Sequence, residues 1–393
     1  MDKMTFPTWP QYAEEDIGAV TELLRSGRVN YWTGTEVSGF EDDYARHCAM
    51  PHAIALANGT LALQAGLLGL GLQPGDEVIV TPRTFIASAS VIALAGGVPV
   101  FVDVDPDSQN LDPARVAERI GPRTVGIIAV HHAGWPCDMP ALAALADKAG
   151  LWILEDCAQA HGAQVDGRPV GSFGDAAAFS FCQDKIISTG GEGGMLLCRD
   201  DAVWRRAWSF KDHGKDFDAV QAAARDITPG VPWVHRSLGS NWRMAGVQAA
   251  IGRVQLRKLE AWHAARLRNA MRFHERLSSC SALRIPMPPV PIRHAFYRFY
   301  AFVRPERLRP GSTRNDIVVA LQARGVPCNL GSCSEIYREQ AFSNAGFGPG
   351  ERLPVAQALG ETGIALLVHP TLESPHIDQM ADAVLEVMST LMA

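Results

Sequence analysis

Between about residue 53 and residue 200, short apolar runs alternate with stretches of helical period. The runs fall at residues 77–80, 98–103, 125–130, 151–156 and 177–181. Between them, residues 60–70, 86–95, 113–120 and 139–149 carry apolar side chains at helical spacing. Nearly unbroken apolar strands separated by helices predict a mainly parallel sheet with helices on both faces, an α/β fold. Residues 211–238 mix charge, glycine and proline without a period and predict a long loop. A helix is expected over 244–272, a proline-rich connection over 284–291, a strand over 299–303 and helices over 314–324 and 376–391. The expected division is an N-terminal segment plus large domain at 1–262 and a smaller C-terminal α+β domain at 263–393.

Ligands of open α/β sheets gather at the carboxyl ends of strands, and Asp156 and Ser180 fall at or near the ends of two of the apolar runs. The second run leads into Cys182-Gln183-Asp184-Lys185 and then Gly190-Gly191-Glu192-Gly193-Gly194, a turn whose glycines permit positive φ and close backbone approach. A lysine amine forms a Schiff base with the aldehyde of pyridoxal phosphate, and a carboxylate at a buried strand end holds the pyridine nitrogen protonated. Lys185 and Asp156, in this order and context, read as that pair. Alone, each has a plainer reading: a surface lysine before a turn, and a carboxylate capping the next helix. Gln159, from the turn after Asp156, is placed to reach the cofactor's phenolic oxygen or to be an ordinary polar residue. His161 is assigned a structural role.

Asn58-Gly59-Thr60 precedes a helix, where free backbone N–H groups and a hydroxyl suit a phosphate dianion, although every helix start needs a cap. Ser180 offers a second hydroxyl. Phe85 is a candidate to stack on the pyridine ring, or a core residue. Asn241 and Arg243, in Asn241-Trp242-Arg243-Met244, suit a phosphate and a carboxylate respectively; both equally suit capping or contacts between subunits.

Charge and cysteines narrow the class. A formal net charge of -6 offers no basic field for nucleic acid or an anionic membrane. The eight cysteines include no C-x-x-C pair and no zinc spacing, and are expected as free thiols in a reducing cytoplasm. No apolar stretch at residues 1–30 resembles a signal peptide, so a cytoplasmic location is expected. No G-x-G-x-x-G follows the first strand, which disfavours a nicotinamide dehydrogenase.

These motifs, with Trp32-Thr33-Gly34, Phe40-Glu41, Gly75-Asp76-Glu77-Val78-Ile79, Val130-His131 and His369-Pro370, resemble the pyridoxal phosphate-dependent sugar aminotransferases of the DegT/StrS family along almost the whole chain. The resemblance implies a fold-type-I transferase, a homodimer with shared active sites, and transfer of an amino group from L-glutamate to a keto-sugar or sugar aldehyde. It further implies a pyridoxamine phosphate form between the two halves of the reaction, and a place in surface-polysaccharide (lipopolysaccharide) or amino-sugar biosynthesis. It assigns Lys185 to the Schiff base, Asp156 to the pyridinium, Gln159 to the cofactor oxygen, Gly59, Thr60 and Ser180 to the phosphate and Phe85 to the ring face. Asn241 matches a residue that reaches the neighbouring subunit's phosphate.

The chain departs from the family pattern twice: the stretch from Lys185 to Glu192 is a residue longer than usual, and Ala245-Gly246 stands where an acidic residue is common. A family branch with histidine in place of the lysine removes a sugar hydroxyl instead; Lys185 argues against it. The segments 30–34 and 331–337 look closest to a branch that aminates an oxidised 3-deoxy-octulosonate sugar. A nucleotide-linked 3-keto or 4-keto hexose, or a keto-cyclitol, stays open. Arg83, Arg243, His294, Tyr297, Arg298 and Tyr337 are acceptor-side candidates with structural alternatives. A dehydratase or other lyase, and a non-catalytic sensor of the same fold, are the competing classes.

Overall fold

The computed structural model describes residues 4–225 and 233–393. In chain order its first strands are β1 (His52–Leu56), β2 (Glu77–Val80), β3 (Val98–Phe101), β4 (Thr124–Val130) and β5 (Trp152–Asp156). The short pair β6 (Gln164–Val165) and β7 (Arg168–Pro169) follows, then β8 (Ala176–Ser180) and β9 (Gly194–Cys198). The large sheet has the order β1-β9-β8-β5-β4-β2-β3. Its members from β8 to β3 pair in parallel, whereas β9 runs antiparallel to both β8 and β1. This is the expected α/β architecture with one reversed strand near its edge.

The strands alternate between two cores, as the pleat requires. Val78, Val80, Ile128 and Leu154 face one side, packed by α3 (Gly59–Leu70), α4 (Ala87–Leu94) and α7 (Asp201–Lys211). Ile79, Ile127, Ala129 and Ile153 face the other, with Val116 of α5 (Pro113–Arg119) and Leu142 of α6 (Met139–Ala149). Two helices precede the sheet, α1 (Glu14–Ser26) and α2 (Glu36–His47).

The stretch expected as a loop over 211–238 contains a helix, α8 (Phe217–Arg225). Phe217 and Val220, three apart on one helical face, pack against the large core, and the Phe217 ring meets Trp204 at 4.9 Å and Trp208 at 5.1 Å. Those tryptophans are on α7, so sequence-local periodicity could not reveal what stabilises the segment. The rest of the expected loop lies partly outside the described residues.

The expected helix over 244–272 is α9 (Gly246–Leu277), continuous for 32 residues. Beyond it come β10 (Leu283–Arg284), β11 (Ile292–Arg293), β12 (Phe299–Val303), β13 (Cys328–Asn329) and β14 (Gly363–Leu366). The helices here are α10 (Arg314–Ala323), α11 (Gln340–Asn344), α12 (Pro354–Thr362) and α13 (Ser374–Leu391). An antiparallel sheet β10-β12-β14-β13 packs against α10 and α13. The expected division at 262/263 falls inside α9, which contributes Ala249 and Leu259 to a core of the large sheet and Phe273 and Leu277 to that of the small one. The chain then returns: β11 pairs with β6, and the amides of Ala295 and Tyr297 bond to the turn after β4 before β12 begins. Among the described residues no helix is long and apolar enough to cross a membrane.

Candidate active site

β1 and β8 end at the same edge as β4 and β5, and a cavity of about 630 Å³ opens there. Gly59, Thr60, Phe85, Asp156, Gln159, Ser180 and Lys185 all line it. Seven of the eight sequence candidates therefore meet in one place. Asn241 does not: it is exposed and lies in a bridge to Asp212, away from this cavity.

At one end α3 begins. Asn58 caps it by accepting from the Leu61 amide at 2.9 Å, which leaves the amides of Gly59 and Thr60, first in the helix, without an intrahelical acceptor. A Cβ on Gly59 would sit 2.6 Å from Ser180 Cβ, so only glycine lets the helix start approach that hydroxyl. The result is an anion cradle of backbone amides and the Thr60 and Ser180 hydroxyls.

Asp156 is 5% exposed. Oδ2 accepts from Ser88 Oγ at 2.7 Å and Oδ1 from the Ala158 amide at 3.1 Å, yet among the described residues no basic side chain pairs with it. Burial, only partly offset by the Ser88 and Ala158 hydrogen bonds and the more distant Lys185 and His131, raises its pKa. A buried carboxylate in this state favours a bound cation, and a protonated pyridine nitrogen is one. Gln159 Oε1 is fixed by the Ala133 amide at 2.7 Å, so its NH₂ is the end left for a ligand oxygen. Phe85 is 67% exposed at the cavity mouth, a large apolar ring that the described residues leave mostly uncovered.

Lys185 sits in the turn after β8, and its backbone oxygen accepts from Trp9 Nε1 at 2.8 Å. Nζ donates to Tyr297 Oη at 3.3 Å and lies 3.4 Å from Asp184 Oδ1. Burial alone would discharge the amine, but the Tyr297 oxygen and the Asp184 carboxylate outweigh it and raise its pKa. Asp184 also accepts from Tyr297 Oη and lies 3.5 Å from Arg298 Nη2. Gly190 and Gly191, at φ 84° and 126°, turn the chain beyond the lysine. The anion cradle, the cation-seeking carboxylate and the lysine amine fit pyridoxal phosphate at its three distinguishing groups.

Ser88 and Asp184 escaped the sequence reading, because neither forms a motif: Ser88 is 68 residues from Asp156, and Asp184 meets Tyr297 across 113. His161 is held by Tyr44 Oη at 2.7 Å and the Ser180 carbonyl at 2.9 Å, and burial pushes its pKa down to about 3, in keeping with a structural role. Of the acceptor-side candidates, Tyr297 and Arg298 line a second cavity of about 210 Å³ that shares Phe85, Gln159, Asp184 and Lys185 with the first. Arg83 is fully buried, donating to Gln109 at 2.7 Å and Ser334 at 2.9 Å. His294 accepts from the Phe296 amide, Tyr337 bonds Glu335, and Arg243 is paired with Asp212 at 2.8 Å. These four are held in structural contacts away from the site.

A mainly parallel sheet with this lysine, carboxylate and anion cradle at its carboxyl edge defines a fold-type-I pyridoxal phosphate-dependent aminotransferase. The chain belongs to the DegT/DnrJ/EryC1/StrS aminotransferase family, whose model matches residues 10–385. It is 35% identical over 378 residues, covering 95% of this chain and 92% of the relative, to a dTDP-3-amino-3,4,6-trideoxy-alpha-D-glucose transaminase of Streptomyces venezuelae. It is 33% identical to a UDP-N-acetyl-3-dehydro-alpha-D-glucosamine 3-aminotransferase of Acidithiobacillus ferrooxidans, covering 91% and 89% of the two chains. A crystal structure of an aminotransferase from Psychrobacter cryohalolentis superposes with a TM-score of 0.95 at 45% identity, over 98% of this chain and all of that one.

Proposed function

We propose that this aminotransferase moves an amino group from L-glutamate to the carbonyl carbon of a nucleotide-linked keto-sugar. The observation that carries the reading is the pairing, in one cavity, of the Lys185 amine with a buried Asp156 that has no basic partner among the described residues. The relatives named above act on dTDP- and UDP-linked sugars, which favours a nucleotide-linked acceptor over an oxidised 3-deoxy-octulosonate. When bound, the cofactor supplies an electron sink for the carbon that loses a proton. Lys185 Nζ takes that proton and returns it, which its position between Asp184 and Tyr297 allows: the carboxylate stabilises the charged amine, and the phenol fixes its direction. Asp156 would hold the ring nitrogen protonated, and Gln159 would donate to the ring oxygen. Gly59, Thr60 and Ser180 would hold the phosphate, and Phe85 would cover one ring face and exclude water.

A homodimer is part of the proposal. Asn241 is exposed outside its own cavity, and the open Phe85 mouth is where a second copy would complete the site. The division into an N-terminal segment with a large domain (1–262) and a small C-terminal domain (263–393), joined through α9, belongs to the same reading. The test is a coupled assay for 2-oxoglutarate with L-glutamate and a panel of keto-sugars, nucleotide-linked and free, run with the protein and with Lys185→Ala. Formation of 2-oxoglutarate and an aminated nucleotide-sugar, both abolished by Lys185→Ala, supports the reading; ordinary turnover by Lys185→Ala overturns it.

A further inference from the structure

An α-amino acid donor carries its amine and its carboxylate on one carbon. Whatever seats the amine beside Lys185 must therefore also meet an anion close by. The cavity beside Asp156 contains no arginine, and Lys185 is its only basic side chain among the described residues. The adjoining cavity of about 210 Å³, and a further one of about 300 Å³ reached past Asp184, are both lined by Arg298. The neighbouring arginines Arg83 and Arg266 line none of these three cavities. Arg83 is buried on Gln109 and Ser334, and Arg266 is buried and donates to the Phe296 carbonyl at 3.2 Å.

Arg298 is placed and under-used. Its guanidinium lies 4.4 Å from the centre of the Tyr297 ring, the same ring that Lys185 Nζ approaches at 4.8 Å. The segment that carries it is pinned to the turn that follows β4, with the Tyr297 amide donating to the Ala133 carbonyl at 2.9 Å and the Ala295 amide to the Gly134 carbonyl at 2.8 Å. A guanidinium presents a fork of N–H donors. Among the described residues the one acceptor it meets is Asp184 Oδ2 at 3.5 Å, the outer limit of a hydrogen bond. Its side chain is 18% exposed, into the cavities, so the remaining donors face the space a substrate enters.

We propose that Arg298 anchors the α-carboxylate of the amino donor. It rests on the aminotransferase reading above but not on glutamate in particular, since every α-amino acid presents that group. Asp184 occupies the same guanidinium loosely in the free protein. An incoming carboxylate, which can pair with the fork at two points, takes over that edge and leaves Asp184 to Lys185 and Tyr297. Arg298 thereby fixes the amine-bearing carbon of the donor next to Nζ.

The cofactor-loaded protein is compared with Arg298→Gln and Arg298→Lys, reading KM and kcat for L-glutamate and, by calorimetry, the binding of glutarate, a dicarboxylate without an amine. The expected result for Arg298→Gln is a glutamate KM raised about 100-fold, as for loss of one partner of a desolvated charge pair. The keto-sugar KM should move little and glutarate binding should be lost. Arg298→Lys should recover most of the loss. A glutamate KM within about three-fold of the parent protein in Arg298→Gln, with glutarate still bound, overturns the assignment. Should Arg298→Gln not retain the cofactor, Asp184→Asn decides: freeing the guanidinium should tighten glutarate several-fold, and weaker binding contradicts the anchor. Glutarate binding that depends on Arg298 in a protein that glutamate does not convert would retire the glutamate reading and leave the anchor standing.

Discussion

Glu155 and Asp156 are adjacent carboxylates at the end of β5, and the pleat sends them to opposite faces of the sheet. Glu155 is fully buried and saturated: it accepts from His131 Nε2 at 3.0 Å and from the amides of Gly171, Phe173 and Gly174 at 2.7 to 2.8 Å. His131 accepts the Cys137 amide on Nδ1, so its Nε2 carries the proton given to Glu155. Burial alone would raise the Glu155 pKa, but these donors overcome it and hold the group below its ordinary 4.5. Asp156 has two donors and an open side toward the cavity, and burial wins, raising its pKa above 3.8. Two acids one residue apart thus differ in donor supply: the saturated one holds the fold together, and the under-supplied one has room for a ligand's cation.

The largest expected effect is on stability. Glu155→Ala strands three backbone amides and the His131 N–H in the interior, and should lower unfolding free energy by about 3–5 kcal/mol in denaturant titrations. Asp156→Asn should behave in the opposite way. The cofactor-free protein should keep its stability at neutral pH or gain slightly, while glutamate-dependent turnover falls by about 100- to 1000-fold as a fixed charge facing the reaction is removed. Equal destabilisation by both substitutions would erase the distinction.

The pH dependence sharpens the contrast, because the signs differ. The Glu155 pKa is lowered in the folded state, so its contribution is present above 4.5 and is lost as pH falls through the folded value. The Asp156 pKa is raised, so its contribution is present below 3.8 and is lost as pH rises through the folded value. Urea midpoints of the cofactor-free protein against pH should lose acid sensitivity in Glu155→Gln. In Asp156→Asn they should lose the decline that accompanies ionisation. The smallest effect belongs to Ser88→Ala, which removes one hydrogen bond from Asp156. It should loosen cofactor binding several-fold, about 1 kcal/mol, read by equilibrium dialysis, with the fold intact.

Much of this was legible in the sequence because parallel strands buried on both faces read as apolar runs, and because their carboxyl ends collect ligands. Asp156, Ser180 and Lys185 stand at or just after such ends, and Gly59 opens the helix after another. What was illegible depends on contacts far apart in the chain. The donors that separate Glu155 from Asp156 come from residues 88, 131, 171, 173 and 174. Arg83 looked like an acceptor-side residue until Ser334, 251 residues away, took its guanidinium. The segment of α8 looked like a loop because its apolar face is short and its partners are the tryptophans of α7. Periodicity reports which face of an element is apolar; it cannot report which polar partner waits on the other side.

The most direct test is the absorption spectrum of the pyridoxal phosphate-loaded protein before and after L-glutamate, without any acceptor. Under the proposed reaction the yellow absorbance of the lysine-bound cofactor should give way to that of pyridoxamine phosphate, with one equivalent of 2-oxoglutarate released per site. Failure to load the cofactor on Lys185 at all, or a yellow absorbance unmoved by glutamate or any other α-amino acid, would contradict the account.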